Sequence, residues 1–135
     1  MVSQLKCAIA VGTGGFVGAV LRYTFSEIMK GIPVLVMFPA ATMIVNVIGC
    51  FAIGLVAGWS DGFKFFQPSM RLFLIIGLFG SFTTFSTFAY ENLVLFRDNN
   101  IPLAALNVLL HLLLGIAAVF GGFWLAERIS VSTVS

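Results

Sequence analysis

The sequence predicts an all-α integral membrane protein with four transmembrane helices, the third of which is broken near the middle of the membrane. Of its 135 residues, 60% are hydrophobic and only 9% are charged, and the mean hydropathy is +1.11. A soluble domain carries about 25% charged residues. The second observation is a set of four long apolar segments, and the third is a polar run inside one of them. The length suits one domain, residues 1–135.

The first apolar segment covers about residues 5–29. At a rise of ~1.5 Å per residue, a helix of this length reaches across ~30 Å of hydrocarbon with some tilt. The segment is too long for the core of a signal peptide and contains Arg22, so we expect it to be retained. Gly14 and Gly18 form a GxxxG pair, which lets a neighbouring helix approach closely.

The second and fourth segments each carry a polar stripe. The second covers about residues 39–59, with Pro39 in its first turn. The fourth covers about residues 102–128. Residues four apart share one face of a helix, and polar or small residues recur at that spacing in both segments: Thr42, Asn46, Cys50 and Gly54 in the second, and Asn107, His111 and Gly115 in the fourth.

The third segment, about residues 70–97, is the unusual one. Its residues 77–88 contain two glycines, five hydroxyl side chains and four phenylalanines. Gly, Ser and Thr are weak helix formers, so we expect the helix to break at about Gly80 to Thr84. Lipid cannot satisfy the backbone groups that such a break frees. The break therefore predicts a binding site or a cavity at this level.

The positive charges predict no preferred orientation in the membrane. One side carries four of them and the other three, counting Arg22 with the second. Because Lys/Arg asymmetry sets orientation, we expect the chain to insert both ways round and to assemble as an antiparallel, dual-topology homodimer. The charges on the first side are Lys6, Lys64, Arg71 and Arg128, and those on the second are Lys30, Arg97 and Arg22.

Phe85 and Phe88 lie three residues apart, on one face of the half-helix after the break. Their positively polarised ring edges can face an anion, although most of the fifteen phenylalanines must simply contact lipid or protein. The amide of Asn46 suits either an interhelical hydrogen bond or donation to a passing anion. Glu91 is on the Phe88 face, where it either ends a polar track or pairs with a cation.

Two further residues leave alternatives open. Arg22 suits either snorkelling to the membrane surface or an electropositive vestibule that attracts anions. His111 suits a hydrogen-bonded packing role better than a metal site, because the chain has no second histidine. The hydroxyls of residues such as Ser86 and Thr87 can donate hydrogen bonds back to helix carbonyls. Five hydroxyl residues within positions 81–87 are more than such bonds explain.

The run Gly80-Ser-Phe-Thr-Thr-Phe-Ser-Thr-Phe88, followed by Glu91, resembles the small fluoride channels of the Fluc (CrcB) family. The glycine-rich segment ending in Arg22 and the run from Thr42 to Asn46 resemble the family's first two helices. Length and four-helix topology also agree, so the resemblance covers nearly the whole chain.

The resemblance implies a fluoride-selective channel in the cell membrane that passively exports fluoride, built as an antiparallel homodimer with two pores. It implies that Phe85, Phe88 and Asn46 line the pore, that Thr87 and Glu91 form a polar track, and that Arg22 lies in the vestibule. We add three further candidate pore residues, Thr42, Ser86 and His111. The resemblance also implies a structural Na⁺ at the dimer interface, held by the backbone carbonyls of Gly80 and Thr83, and oxygen ligands suit such a hard ion.

The sequence departs from the resemblance in the fourth segment. Some members of the family place serines along the stripe that faces the pore, where this chain has His111 and Gly115. A hydroxyl contribution from this helix is therefore not expected.

Other functions fit the residues less well. A small dual-topology, proton-coupled multidrug exporter needs a carboxylate buried in the membrane, whereas the acid of the first segment, Glu27, is near its end. A scaffold subunit has no need for a broken helix. No nucleophile–base pair or metal cluster indicates an enzyme, and the net charge of +2 does not indicate a nucleic-acid partner. Cys7 and Cys50 are expected to be packing thiols.

Overall fold

Four helical spans make up the described part of the chain, which in this computed structural model comprises residues 2–31, 38–59 and 68–132. All four are long and apolar enough to cross a membrane, which confirms the prediction of an all-α membrane protein with four such helices. Lys64, one of the positive charges counted above, lies outside the described residues.

The spans agree with the predicted segments to within a few residues. The first half of the third span, here called α3, comprises residues 68–82 and is helical throughout. It has α-helical ends and a wider π-helical stretch, Leu72–Phe79. The other helices are α1 (Val2–Lys30), α2 (Ala40–Gly58), α4 (Phe85–Arg97, the second half of the third span) and α5 (Ile101–Ser132).

Glycines bring the helices together in two parallel pairs. A Cβ on Gly18 of α1 would lie 2.1 Å from the Leu78 carbonyl oxygen of α3. A Cβ on Gly54 of α2 would lie 2.1 Å from the Val119 carbonyl oxygen of α5. Backbone contact this close excludes any side chain, which is how small residues pack helices in lipid. The predicted role of the Gly14–Gly18 pair is therefore confirmed at Gly18, and Gly54 packs in the same way.

The tight connection Asp98–Asn100 joins α4 and α5 as an antiparallel hairpin. Asn99 has a φ of 56°, a left-handed conformation that asparagine tolerates. The apolar residues buried among those described are Ala40, Val45 and Ala126. With so few buried apolar side chains, most of the apolar surface must face lipid or another chain.

Candidate functional site

The third span is interrupted at two residues, Thr83 and Thr84, at its centre. Thr83 has φ −79° and ψ 159°, and Thr84 has φ −150° and ψ 117°. Both are extended, so neither continues the helix. The predicted break is therefore present but narrower than expected, because Gly80–Phe82 remain helical. The Gly80 N–H donates to the carbonyls of Gly77 and Ile75, which extends the wide turns of α3 through this glycine.

Thr84 restarts the helix as the N-cap of α4. Its hydroxyl oxygen accepts the Thr87 N–H at 3.2 Å and also donates to the Thr87 hydroxyl at 3.0 Å. A side-chain oxygen at this position satisfies one of the free N–H groups of the first turn. The N-terminus of α4, with its partial positive charge, therefore lies in the interior of the span.

Asn46 of α2 satisfies the backbone of the break. Its Oδ1 accepts the Thr84 N–H at 2.8 Å, and its Nδ2 donates to the Thr84 carbonyl at 3.1 Å. These are the groups that an extended residue in mid-span would otherwise leave unpaired. Of the two roles left open for Asn46, the structure shows the interhelical hydrogen bond. One N–H of the amide remains for another acceptor.

Gly49, one turn further along α2, makes room for the break. A Cβ at this position would lie 2.2 Å from Thr83 Cγ2. The Thr83 hydroxyl donates to the Phe79 carbonyl at 3.0 Å, which holds its side chain in that orientation. Asn46 and Gly49 therefore position the two extended residues together.

A cleft of about 910 Å³ lies between α1, the start of α2 and α4. It collects four residues that the sequence singled out: Arg22, Thr42, Thr87 and Glu91. Thr84 at the break also lines it, so the cleft reaches the interruption. At the cleft, Lys30 and Glu27 form an ion pair at 2.5 Å. Arg22 has its Nε buried and without a hydrogen-bond partner.

Thr42 connects α2 to α4 through Glu91. The hydroxyl of Thr42, which is 5% exposed, donates to Glu91 Oε1 at 2.5 Å. Of the two roles left open for Glu91, pairing with a cation is not what the described residues show. Its other oxygen, Oε2, is buried without a partner.

The aromatic candidates form a second group outside the cleft. The rings of Phe85 and Phe88 have centroids 5.6 Å apart and tilt at 48°. Phe88 also contacts His111 of α5, with ring centroids 4.4 Å apart. Phe85 is 79% exposed in this single chain. One chain therefore brings Arg22, Thr42, Thr87 and Glu91 to the cleft, whereas Phe88 contacts His111 of α5.

The remaining candidates lie close to the break. Ser86 is exposed, with its hydroxyl 3.3 Å from that of Thr84. Gly80 is exposed, and Thr83 is half-buried. A helix that ends at Phe82 leaves the carbonyls of its last turn without partners of its own. Gly80 and Thr83 therefore flank a place where backbone oxygens are available.

Thr84 is a site residue that the sequence pattern marks only as the end of the predicted break and as one of several hydroxyls. The signal was there: a threonine directly before an apolar helical segment is a favoured N-cap. Its partnership with Asn46 spans 38 residues of sequence, and no local pattern carries that information.

Comparison with known proteins agrees with this architecture. The family model described as "CrcB-like protein, Camphor Resistance (CrcB)" matches residues 9–123. A protein of Elusimicrobium minutum named "Fluoride-specific ion channel FluC" is 44% identical over 125 residues, which cover 93% of this chain and 97% of the relative. "Fluoride-specific ion channel FluC 3" of Methanosarcina barkeri is 39% identical over 122 residues, covering 90% of this chain and 91% of the relative.

A third relative, the "Fluoride-specific ion channel FluC" of Campylobacter jejuni, is 39% identical over 121 residues and matches over 89% of this chain and 97% of its own length. These are names of ion channels, which are not a class of enzyme. The family match, the relatives and the four apolar helices together identify a multi-pass membrane protein, and the chain belongs to the CrcB family.

Proposed function

We propose that the protein is a fluoride-selective channel that lets fluoride leave the cell passively and so lowers fluoride in the cytoplasm. The observation that carries the proposal is the break at Thr83 and Thr84, stabilised by Asn46 and reached by the cleft that contains Arg22, Thr42 and Glu91. A membrane helix tolerates such a break only where it lines a cavity or binds a ligand. The printed names of the relatives supply the ion.

Fluoride is small and strongly hydrated, so a selective path must replace its water with closely spaced donors. In this proposal the hydroxyls near the break, the free N–H of Asn46 and the ring edges of Phe85 and Phe88 supply them. A neutral amide donates a hydrogen bond without trapping the anion, whereas a buried lysine would trap it through its full charge. Arg22 attracts fluoride to the cleft, and Thr42 and Glu91 line the way.

The working unit is proposed to be an antiparallel homodimer. Phe85 is 79% exposed beside a break that needs enclosure. A second, inverted copy would cover the exposed aromatic face and bring two breaks to one level in the membrane. The near balance of positive charge at the two ends of the spans supports insertion in both orientations.

Two breaks at one level suit a structural sodium ion at the interface. The carbonyls of Gly80 and Thr83, contributed twice, would offer oxygens of the kind that a hard cation prefers. Gly80 has no side chain to obstruct this approach and is exposed in the single chain. Bound there, the ion would supply fixed positive charge near the anion path.

The proton-coupled exporter is not favoured, because the carboxylate that it needs in the membrane interior is not found at the centre of α1. Glu27 lies near the end of α1 and pairs with Lys30, so it is not a free carboxylate at the centre of that helix. Glu91 lies about two turns beyond the break on α4, and its Oε1 accepts the hydroxyl of Thr42.

Purified protein in liposomes tests the proposed function. Vesicles loaded with fluoride are diluted into fluoride-free buffer, and efflux is followed with a fluoride electrode. The proposal predicts fast passive efflux that chloride does not show. Cation transport driven by a proton gradient would support the exporter instead, and the absence of any transport would support a scaffold.

A further inference from the structure

Most of the buried polar atoms without partners belong to four residues of the α4–α5 hairpin. Among the described residues, six buried side-chain polar atoms have no hydrogen-bond partner. Five of these belong to a cluster of four residues, and the sixth is Arg22 Nε. The cluster consists of Glu91, Asn92, Asn107 and His111. Leaving so many buried groups unpaired is strongly unfavourable, so this set requires a physical explanation.

Two helix registers bring the cluster to one level. The Phe88–His111 ring contact fixes the pairing of α4 with α5. One turn toward the tight connection, this antiparallel register sets Asn92 opposite Asn107. On the other side of α5, Gly54 meets Val119 and Cys50 approaches Gly115. Because α2 and α5 run parallel, moving about two turns back along both helices from Cys50 and Gly115 places Thr42 level with Asn107. The hydrogen bond from Thr42 brings Glu91 to the same level.

Asn107 is the centre of the cluster. It is 0% exposed, and both its Nδ2 and its Oδ1 lack partners. Because the side chain is already covered by its own chain, a second copy packed on the outside cannot reach these atoms. The missing partner must therefore be small enough to be enclosed between α2, α4 and α5.

The chemistry of the unpaired atoms defines that partner. Asn92 donates its amide N–H to the Phe88 carbonyl, so its unpaired atom is an acceptor oxygen. His111 Nδ1 lies 3.0 Å from the backbone carbonyl oxygen of Asn107, which can only accept a hydrogen bond. The neutral ring therefore carries its proton on Nδ1, and the unpaired Nε2 is an acceptor. With Asn107 Oδ1 and, in the ionised carboxylate, Glu91 Oε2, the unpaired set comprises four acceptors and one donor, the Asn107 NH₂ group. Such a set repels fluoride and needs a hydrogen donor.

We propose that Asn107 is the centre of a buried water site, completed by Asn92, His111 and the inner oxygen of Glu91. Water donates two hydrogens and accepts others, and a buried water typically has two to four polar partners. This inference does not depend on the proposed function.

The relative stability of two substitutions tests the site. In a dry apolar space, Asn107→Leu would fill more volume than Asn107→Ala and remove the same unpaired groups, so leucine would unfold at the higher temperature. In a hydrated site, alanine leaves room for an additional water, whereas leucine displaces water from the other acceptors. We expect the thermal midpoint of Asn107→Leu to fall below that of Asn107→Ala. The leucine variant melting higher than the alanine variant would overturn the proposal.

A matched control is the neighbouring Leu106, which is 45% exposed on the same helix. At this exposed position, Leu106→Ala should leave the thermal midpoint unchanged or lower it. Leucine is then at least as stabilising as alanine, which is the order expected where no water is displaced. A double-mutant cycle adds a second readout, because Asn92→Leu and Asn107→Leu should be non-additive if one water joins them. Strict additivity would contradict a shared water.

A crystal structure that resolves ordered waters is independent of whether the variants fold. The proposal predicts water within hydrogen-bond distance of both Asn92 and Asn107. A side-chain rearrangement that pairs these groups directly, with no water between them, would overturn it. The thermal midpoints, the double-mutant cycle and the crystal structure do not depend on fluoride flux. Failure of the water site can therefore be distinguished from failure of the channel function.

Discussion

At the residue scale, Asn46 connects the sequence pattern to the architecture of the site. Spacing alone left its amide between an interhelical hydrogen bond and an anion donor. In the structure it pairs with both backbone groups of Thr84. A neutral amide donates through its NH₂ group and accepts through its oxygen at the same time. Asparagine therefore matches both backbone groups of Thr84 on the third span.

Asn46→Ala should destabilise the protein, because the Thr84 N–H and carbonyl lose their partners. Each unpaired buried group costs about 1–3 kcal/mol. Asn46→Asp keeps an acceptor for the N–H but cannot donate to the carbonyl when ionised, and it adds negative charge beside the path. We expect thermal unfolding to show the loss in the alanine variant and fluoride efflux to stop in the aspartate variant. Normal efflux through Asn46→Asp would remove this residue from the path.

Phe85 and Phe88 allow a test of the aromatic ring edges. Replacing either with isoleucine keeps the apolar bulk but removes the ring quadrupole, so Phe85→Ile and Phe88→Ile should each slow fluoride efflux at least severalfold without disrupting assembly. Phe120→Ile is the matched control, because Phe120 is 69% exposed on α5, away from the break. Equal efflux in all three variants, measured by the fluoride electrode at matched protein density, would exclude a pore role for the two rings.

At the scale of elements, the sequence predicted the four helices and the broken third span from apolar length and a run of poor helix formers. It placed the break across Gly80 to Thr84, whereas the structure confines it to two threonines. The difference concerns Gly80–Phe82, which remain helical. This end of α3 packs against α1, where a Cβ on Gly18 would lie 3.0 Å from the Phe82 backbone nitrogen. Such contacts between distant segments override the local propensity of glycine.

The partition of the site into two groups could not be read from the sequence. All four residues fall on one short helix: Phe85 and Phe88 are expected to line the pore, and Thr87 and Glu91 are expected to form a polar track beyond them. In the structure, Thr87 and Glu91 line the cleft, while Phe88 turns to His111. The contacts with α1, α2 and α5 determine which face each side chain meets, and spacing along a single helix does not specify them.

Gly49→Ala tests whether α2 positions the break. The added methyl would collide with Thr83 Cγ2, so the threonine must rotate away from Phe79 or the extended residues must shift. We expect a lower thermal midpoint and reduced fluoride efflux. Gly121→Ala is the control, because a Cβ there meets nothing within 4 Å. If Gly49→Ala matched Gly121→Ala in both measurements, the close packing at Thr83 would have no functional weight.

At the scale of the whole molecule, the described residues of one chain form an interrupted span, a cleft and an aromatic face, but these residues do not enclose a path. The few buried apolar residues and the exposed Phe85 support a second copy as the missing wall. The proposed antiparallel arrangement has a direct consequence for topology, since each terminus must occur on both sides of the membrane.

Gln4→Cys tests that consequence in a background with Cys7→Ala and Cys50→Ala. Gln4 is exposed at the start of α1. A membrane-impermeant thiol reagent applied to intact cells should label about half of the protein, with the remainder labelled after the membrane is opened, because near-balanced positive charges favour neither orientation. Labelling from one side alone would exclude the inverted dimer.

The central claim is that the broken third span forms a passive path for fluoride and not for chloride. Current through the purified protein in a planar lipid bilayer, recorded under a fluoride gradient, measures this most directly. The account predicts a reversal potential that follows the fluoride equilibrium potential and stays fixed when chloride is varied. A reversal potential that follows chloride or protons, or the absence of current from folded protein, would contradict it.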